Sequence, residues 1–264
     1  MDLHPTIKAA LMCHIGLAAL VFLFFHFPRS LVIKILEYYY PSVTFRVTVK
    51  PRRNPYPRTK IAGSSKIVAL SIDDTPTITG KTNPPTLNTR YLIDIMNKYD
   101  VTATWFIIGN HVRLNDPDHS LLKELVKNGH ELGNHGMYDR MSLRLPSQVL
   151  KREIGIVDKI INDVMGPDRN PKHFRPEYRL FNQRMLTDVE SLDYKIRLGN
   201  NYTFDTYIKD PTFCANRILD SLQPGDIIIL HDQPETIAIL TIILPEMKRR
   251  GYQVTTISKL LSYK

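Results

Sequence analysis

From Ser65 to the end of the chain, apolar β-prone runs alternate with stretches of helical spacing about seven times. Residues 66–72 form the first such run, and in residues 86–99 Leu87, Tyr91, Ile95 and Tyr99 recur at helical intervals. The pattern predicts further strands at 102–108, 130–132, 172–174, 195–198, 226–230 and 252–256. It predicts helices at 121–128, 147–164, 182–192, 212–222 and 235–250, with Ser147 and Asn182 as caps. Strands joined through helices must run parallel, because the crossover returns the chain to the same end of the sheet. A span of about 200 residues with about seven repeats predicts an α/β fold, a distorted (β/α) barrel rather than an open sheet.

Five polar clusters stand where these strands should end: Ile72-Asp73-Asp74-Thr75-Pro76, the segment 133–139, Phe174-Arg175-Pro176-Glu177-Tyr178, Tyr202-Thr203-Phe204-Asp205, and Leu230-His231-Asp232. The carboxyl ends of parallel strands open onto one common mouth, so the clusters are candidates for one site. Neighbouring residues on an extended chain point opposite ways, so Asp73 and Asp74 can divide two tasks, one binding a metal and one acting as base. A helix cap or Asx turn before Thr75-Pro76 is the alternative for that pair. His135 and Asp139 are four apart, which on a helix or tight turn puts both within reach of one cation. With Asp74 they make an Asp/His/Asp set that leaves coordination positions open for water and substrate. The guanidinium of Arg175 would hold the Asp73 carboxylate in place, unless it serves a surface salt bridge. His231 follows an apolar strand and should face the mouth, where Asp205 can pair with its imidazole and favour the protonated, acidic form.

This order of motifs resembles that of the NodB-homology polysaccharide deacetylases, carbohydrate esterase family four, across residues 65–264. The family's T-F-D-D-G-P stands here as Ser71-Ile72-Asp73-Asp74-Thr75-Pro76, its H-[S/T]-x-x-H as His135 to Asp139, and its R-P-P-Y as Arg175-Pro176-Glu177-Tyr178. The resemblance implies Asp73 as base and His231 as general acid, supported by Arg175 and Asp205. It implies Asp74, His135 and Asp139 as ligands of a divalent metal, usually zinc, and places Tyr178 and Leu230 on the substrate and oxyanion side. It also implies a distorted (β/α) barrel that removes N-acetyl groups from N-acetylglucosamine polymers of the chitin type. Four positions depart from the pattern. Thr75 replaces a glycine, and Asp139 replaces the second histidine, which widens the choice of metal toward manganese or iron(II). Glu177 and Arg179 stand where smaller or neutral residues are usual, and both are expected to crowd the groove. Those departures leave two other readings open: a weakened member that grips glycan without turning it over, and a hydrolase of another acyl or amide substrate. The N-terminal layout resembles membrane-anchored fungal-type members.

That layout reads as a signal-anchor helix over residues 1–30, a stem over 31–64 and a catalytic domain over 65–264. Residues 9–27 are almost wholly apolar and would span roughly 28 Å as a helix, close to a bilayer core. A cleaved signal peptide is the alternative. The expectation is a single-pass membrane protein with its catalytic domain lumenal or extracellular. The net charge is +9. Much of the excess crowds the Pro-containing stretch from Lys50 to Lys60, and no nucleic-acid motif accompanies it, so nucleic acid is not an expected partner. Two cysteines, Cys13 and Cys214, exclude a disulfide framework and a Cys-rich zinc module. Asn201-Tyr202-Thr203 reads as a glycosylation sequon.

Overall fold

In the computed structural model, residues 65–79 and 86–263 are described. They belong to one compact unit, Asn54–Lys264. The expected anchor (1–30) and the whole of the stem (31–64) lie outside the described residues, and among those described no helix is long and apolar enough to cross a membrane.

The sheet is organised around β1 (Ile67–Thr75), buried along its length except at Asp74. On one side β1 pairs with β4 (Thr104–Ile107), followed outward by β5 (Glu131–Asn134), β6 (Lys172–Phe174) and β7 (Tyr194–Ile196). On the other it pairs with β9 (Ile227–His231) and then β8 (Asn201–Tyr202), while β10 (Gln253–Thr255) joins the first residues of β1. Every pair in this sheet is parallel. β7 and β8 are its two edges, yet only residues 197–200 separate them in the chain. The five steps from Ile196 to Asn201 reach at most about 18 Å, so the sheet must curl to bring its edges together. No ladder joins β7 to β8 among the described residues, and the expected barrel is therefore a curled, incompletely closed one. A short antiparallel pair, β2 (Ile78–Thr79) with β3 (Thr86–Leu87), lies apart from it.

The helices are α1 (Asn88–Lys98), α2 (Gly109–Asn115), α3 (Ser120–Lys127), α4 (Ser147–Met165), α5 (Gln183–Glu190), α6 (Pro211–Ser221), α7 (Pro234–Arg249) and α8 (Ile257–Ser262). α4 shows why they form: Leu150, Ile154, Val157 and Ile161 recur on one face and are buried. Leu150 and Ile154 pack with Phe174, Met185, Val189, Tyr194 and Ile196, joining two helices to β6 and β7. Asn182 caps α5 as expected, its side chain accepting from the Met185 N–H at 2.9 Å. Ser147 does not cap α4; it is the first helical residue, and its hydroxyl accepts from Arg184 at 3.2 Å.

Two local departures matter for the site. The pairing of β1 with β4 loses register between Ile72 and Thr75, where Asp74 is left-handed at φ 68°. This is a β-bulge, which re-aims side chains at a strand's end. Asn201 of the sequon is 3% exposed, and its side-chain N–H groups donate inward to Ile218 O and to Asp226, each at 3.4 Å. In the folded domain that amide is turned away from solvent.

Candidate active site

The site lies at the carboxyl ends of β1, β5, β6 and β9, around a cavity of about 410 Å³. That is within the range of small-ligand clefts, about 300–1,000 Å³. Asp73, Asp74, His135, Asp139, Glu177, Tyr178, Arg179, Tyr202 and His231 are among the residues lining it.

The β1 bulge changes what its two acids do. On a regular strand they would face opposite sides; here both turn toward His135, whose Nε2 is 3.4 Å from Asp74 Oδ1 and 3.9 Å from Asp73 Oδ2. His111, on α2, holds the left-handed residue by bonding its Nδ1 to the Asp74 carbonyl at 2.8 Å.

Arg175 follows β6 and is wholly buried, lying over the Phe106 ring at 4.0 Å. Its Nη1 donates to Asp73 Oδ1 at 2.6 Å and to Ser71 Oγ at 2.8 Å, while its Nε donates to Arg197 O at 2.8 Å. One guanidinium thus fixes the Asp73 carboxylate and pins the 197–200 link against the sheet.

The carbonyl of Arg175 also sets the His135 tautomer. It accepts from His135 Nδ1 at 2.6 Å, so the proton is on Nδ1 and a neutral ring presents the Nε2 lone pair to the two carboxylates. Three electron-rich groups facing one another are stable only with positive charge among them. Without a metal, a proton takes that place. Burial opposes charge on His135, but Asp73, Asp74 and Glu177 drive its pKa up to about 10. Burial likewise opposes charge on Asp74, yet the His135 hydrogen bond, with His231 and His111, brings it down to about 2. Asp74 and His135 therefore suit a divalent cation. Asp139 lines the same cavity but is exposed, and no group of three His, Cys, Asp or Glu stands at metal-binding spacing among the described residues. The segment after His135 runs as a bend, with Gly136 at φ +86°, rather than as a helical turn.

On the other side of the cavity, His231 Nδ1 lies 3.0 and 3.1 Å from the two Asp205 oxygens, and Asp205 is wholly buried. Asp205 also accepts from the His231 N–H at 2.9 Å and from Gln233 at 3.1 Å, so both its oxygens are engaged. Nδ1 is thereby the proton-bearing nitrogen facing Asp205, and Nε2 is left for the mouth. Burial on its own lowers the His231 pKa, but Asp205, then Asp74 and Asp73, raise it to about 9 from 6.5. Such a raised group adds stability below pH 6.5 that is lost as pH rises through about 9. Replacing Asp205 with Asn is expected to lower the His231 pKa clearly, because the largest upward influence is gone while burial remains. Imidazole NMR titration of the metal-free protein checks this; an unmoved midpoint near 9 would contradict it.

The remaining sequence candidates divide. Tyr178 is left-handed at φ 57° and 57% exposed, lining the cavity. Leu230 is wholly buried opposite Ile72 and does not line the cavity; its neighbour Ile229 does. Glu177 is 3% exposed, accepts from Ser142 Oγ, and is raised by burial to about 7. A Cβ on Gly136 would come 2.5 Å from Glu177 Oε1, so this glycine makes room for that carboxylate. Both residues expected to crowd the groove line the cavity: Glu177 packs against the His135 loop at its wall, and Arg179 stands over the Tyr202 ring at 3.7 Å. Sequence reasoning placed Tyr202 in a candidate cluster without a role, and missed His111 and the bracing role of Asp232. That carboxylate accepts from the Thr77 N–H at 3.0 Å, Asn88 at 2.7 Å and Thr89 at 2.5 Å, tying the loop after β1 to β9.

Comparison with known proteins accords with this geometry. A family model described as polysaccharide deacetylase matches residues 60–196, just over half of the 264. A peptidoglycan-N-acetylglucosamine deacetylase of Bacillus cereus is 29% identical over 211 residues, covering 78% of this chain and 92% of that protein. A bifunctional xylanase/deacetylase of Pseudobutyrivibrio xylanivorans is 29% identical over 204 residues, 76% of this chain but only 31% of that protein. A solved family 4 acetyl xylan esterase from Clostridium thermocellum, in complex with a cobalt ion, superposes with a TM-score of 0.63 at 29% identity, covering 75% of this chain and 91% of that one. These relatives are bacterial, so the expected leaning toward fungal-type members finds no support in them.

Proposed function

The chain belongs to the NodB-homology polysaccharide deacetylase family, carbohydrate esterase family four, and from that premise we propose that it hydrolyses N-acetyl groups on an N-acetylglucosamine-containing polysaccharide. The observation that carries this reading is the opposition of two prepared groups across one cavity. Asp73 is braced by Arg175 on one side, and His231 is paired with Asp205 on the other.

In this reading Asp74 and His135 hold a divalent cation, with zinc, manganese and iron(II) all suited to one imidazole and carboxylate oxygen. When bound, the cation polarises the acetyl carbonyl and makes water a better nucleophile at neutral pH. Asp73 takes a proton from the attacking water, whose oxygen bonds to the acyl carbon. His231, protonated on Nε2, gives that nitrogen's proton to the departing amine as the carbon–nitrogen bond breaks. The products are acetate and a free amino sugar. An amine is a poor leaving group unless protonated, so an imidazole that stays protonated at neutral pH suits an N-acetyl substrate. Tyr178 and the turn around it are assigned to the substrate and oxyanion side.

A second reading, glycan binding without turnover, is favoured by one feature: no group of three His, Cys, Asp or Glu stands at metal-binding spacing among the described residues. Acetate release from chitin oligomers and from peptidoglycan glycan strands separates the two. We expect acetate and new amine in equal amounts, activity lost on chelation and regained with zinc, manganese or cobalt. Tight glycan binding with no acetate under any metal would establish the second reading instead.

A further inference from the structure

We propose that Arg179 selects glycans carrying a carboxylate on the sugar unit next to the N-acetyl group being removed. The inference rests on the deacetylase reading and names a substrate class for that site.

Arg179 is a cation in the cavity with no anion of its own. Its guanidinium makes no ion pair and no side-chain hydrogen bond among the described residues; its recorded contact is the stack on Tyr202 at 3.7 Å. The carboxylates whose charge it feels, Asp73 and Asp205, are already committed. Asp73 is held by Arg175, and Asp205 by His231 and Gln233. Asp74 faces His135.

The placement is built. The Arg179 N–H closes a turn on Pro176 O at 3.0 Å, and Tyr178 and Arg179 are both left-handed, at φ 57° and 56°. Left-handed backbone is costly for residues other than glycine, and its persistence at two successive positions marks a turn the surroundings impose. The Tyr202 ring under the guanidinium is fixed by its hydroxyl, 3.1 Å from Thr206 Oγ1. Stacking leaves the edge nitrogens of a guanidinium available, and those nitrogens match a carboxylate in bidentate fashion.

The proposed chemistry gives this cation no other work. An N-acetyl amide is neutral, the base already has its arginine, and the acid already has its carboxylate. Removing a half-buried cation from water as a neutral sugar polymer settles over it is unfavourable unless the ligand supplies an anion. The exposed rings of Tyr178 and Tyr207, 57% and 51% exposed, offer flat surface for the adjoining sugar faces.

Calorimetric titration of the full chain tests this with three probes: an N-acetylglucosamine–N-acetylmuramic acid tetrasaccharide, its carboxyl methyl ester, and neutral chitotetraose. The wild type should bind the free acid about tenfold more tightly than its ester, a margin typical of one charge-assisted pair, and the margin should shrink in high salt. Arg179→Gln should bring the acid-to-ester ratio to about one, and Arg179→Lys should keep part of it. An equal affinity for acid and ester in the wild type overturns the proposal. So does a preference that survives Arg179→Gln, or binding of none of the probes. Acetate is measured in the same samples. Charge-selective binding without acetate would leave the Arg179 assignment standing and remove the deacetylase reading; acetate without charge selectivity would do the reverse.

Discussion

Replacing Asp73 with Asn is expected to cut acetate release by about 10³-fold, while the domain stays folded and glycan binding persists. Asp73 is 2% exposed, and one of its oxygens is held by Arg175 at 2.6 Å. An amide of the same shape still accepts from that guanidinium, so the local geometry should survive. What it cannot do is accept a proton from water. The other Asp73 oxygen, 3.9 Å from His135 Nε2, stands beside the proposed cation position. Placement there is what a base acting on bound water needs. The loss should appear in kcat rather than KM, because binding of the neutral glycan does not depend on proton acceptance. A variant that retains more than about a tenth of wild-type kcat would remove the base assignment, given the 10²–10⁴-fold usually carried by such a group.

Arg175→Met is expected to lower folding stability by about 3–5 kcal/mol, the cost of leaving a buried charge without its partner. Three features converge on this side chain. It is wholly buried, it neutralises Asp73, and it tethers the 197–200 link on which curling of the sheet depends. Urea unfolding followed by far-UV circular dichroism measures the change as a shift in midpoint. Part of the loss should return in the Arg175→Met, Asp73→Asn double variant, because the unpaired carboxylate is then gone. Arg175→Lys should recover little, since one ammonium cannot span Ser71 Oγ, Asp73 Oδ1 and Arg197 O as a fork does. A loss below about 1 kcal/mol would mean that the observed network is not what holds this end of the sheet together.

The parallel α/β architecture was legible because its signal is periodic and repeated. Residues 172–174 are predicted and observed as a strand with the same limits, and the long helices 147–165 and 234–249 follow from unbroken apolar faces. Short elements escape that signal. β8 is two residues long and α2 seven, too few for a period to declare itself. They form because tertiary neighbours satisfy them.

The site was legible at the level of residue type. Its internal geometry depends on backbone conformations that residue spacing does not reveal. Asp73 and Asp74 were expected on opposite faces, and the bulge with Asp74 at φ 68° turns both toward His135. His135 and Asp139 were expected on one helix face or tight turn; both line the cavity, and the segment between them runs as a bend with Gly136 at φ +86°. Glu177 was read as a groove residue and does line the cavity, but its partners Gly136 and Ser142 lie some 40 and 35 positions earlier, a pairing that one sequence cannot announce. The Arg179–Tyr202 stack was hidden for the same reason.

The central claim is that Asp74 and His135 are shaped around a cation standing between a base and an acid. Equilibrium dialysis of the purified chain against zinc or cobalt(II), with the metal content measured directly, tests it without reference to turnover. The account predicts one equivalent of metal per chain, lost in Asp74→Ala and in His135→Ala and kept in Asp205→Asn. Substoichiometric metal in the wild type, or full loading that both of the first two variants retain, would contradict it.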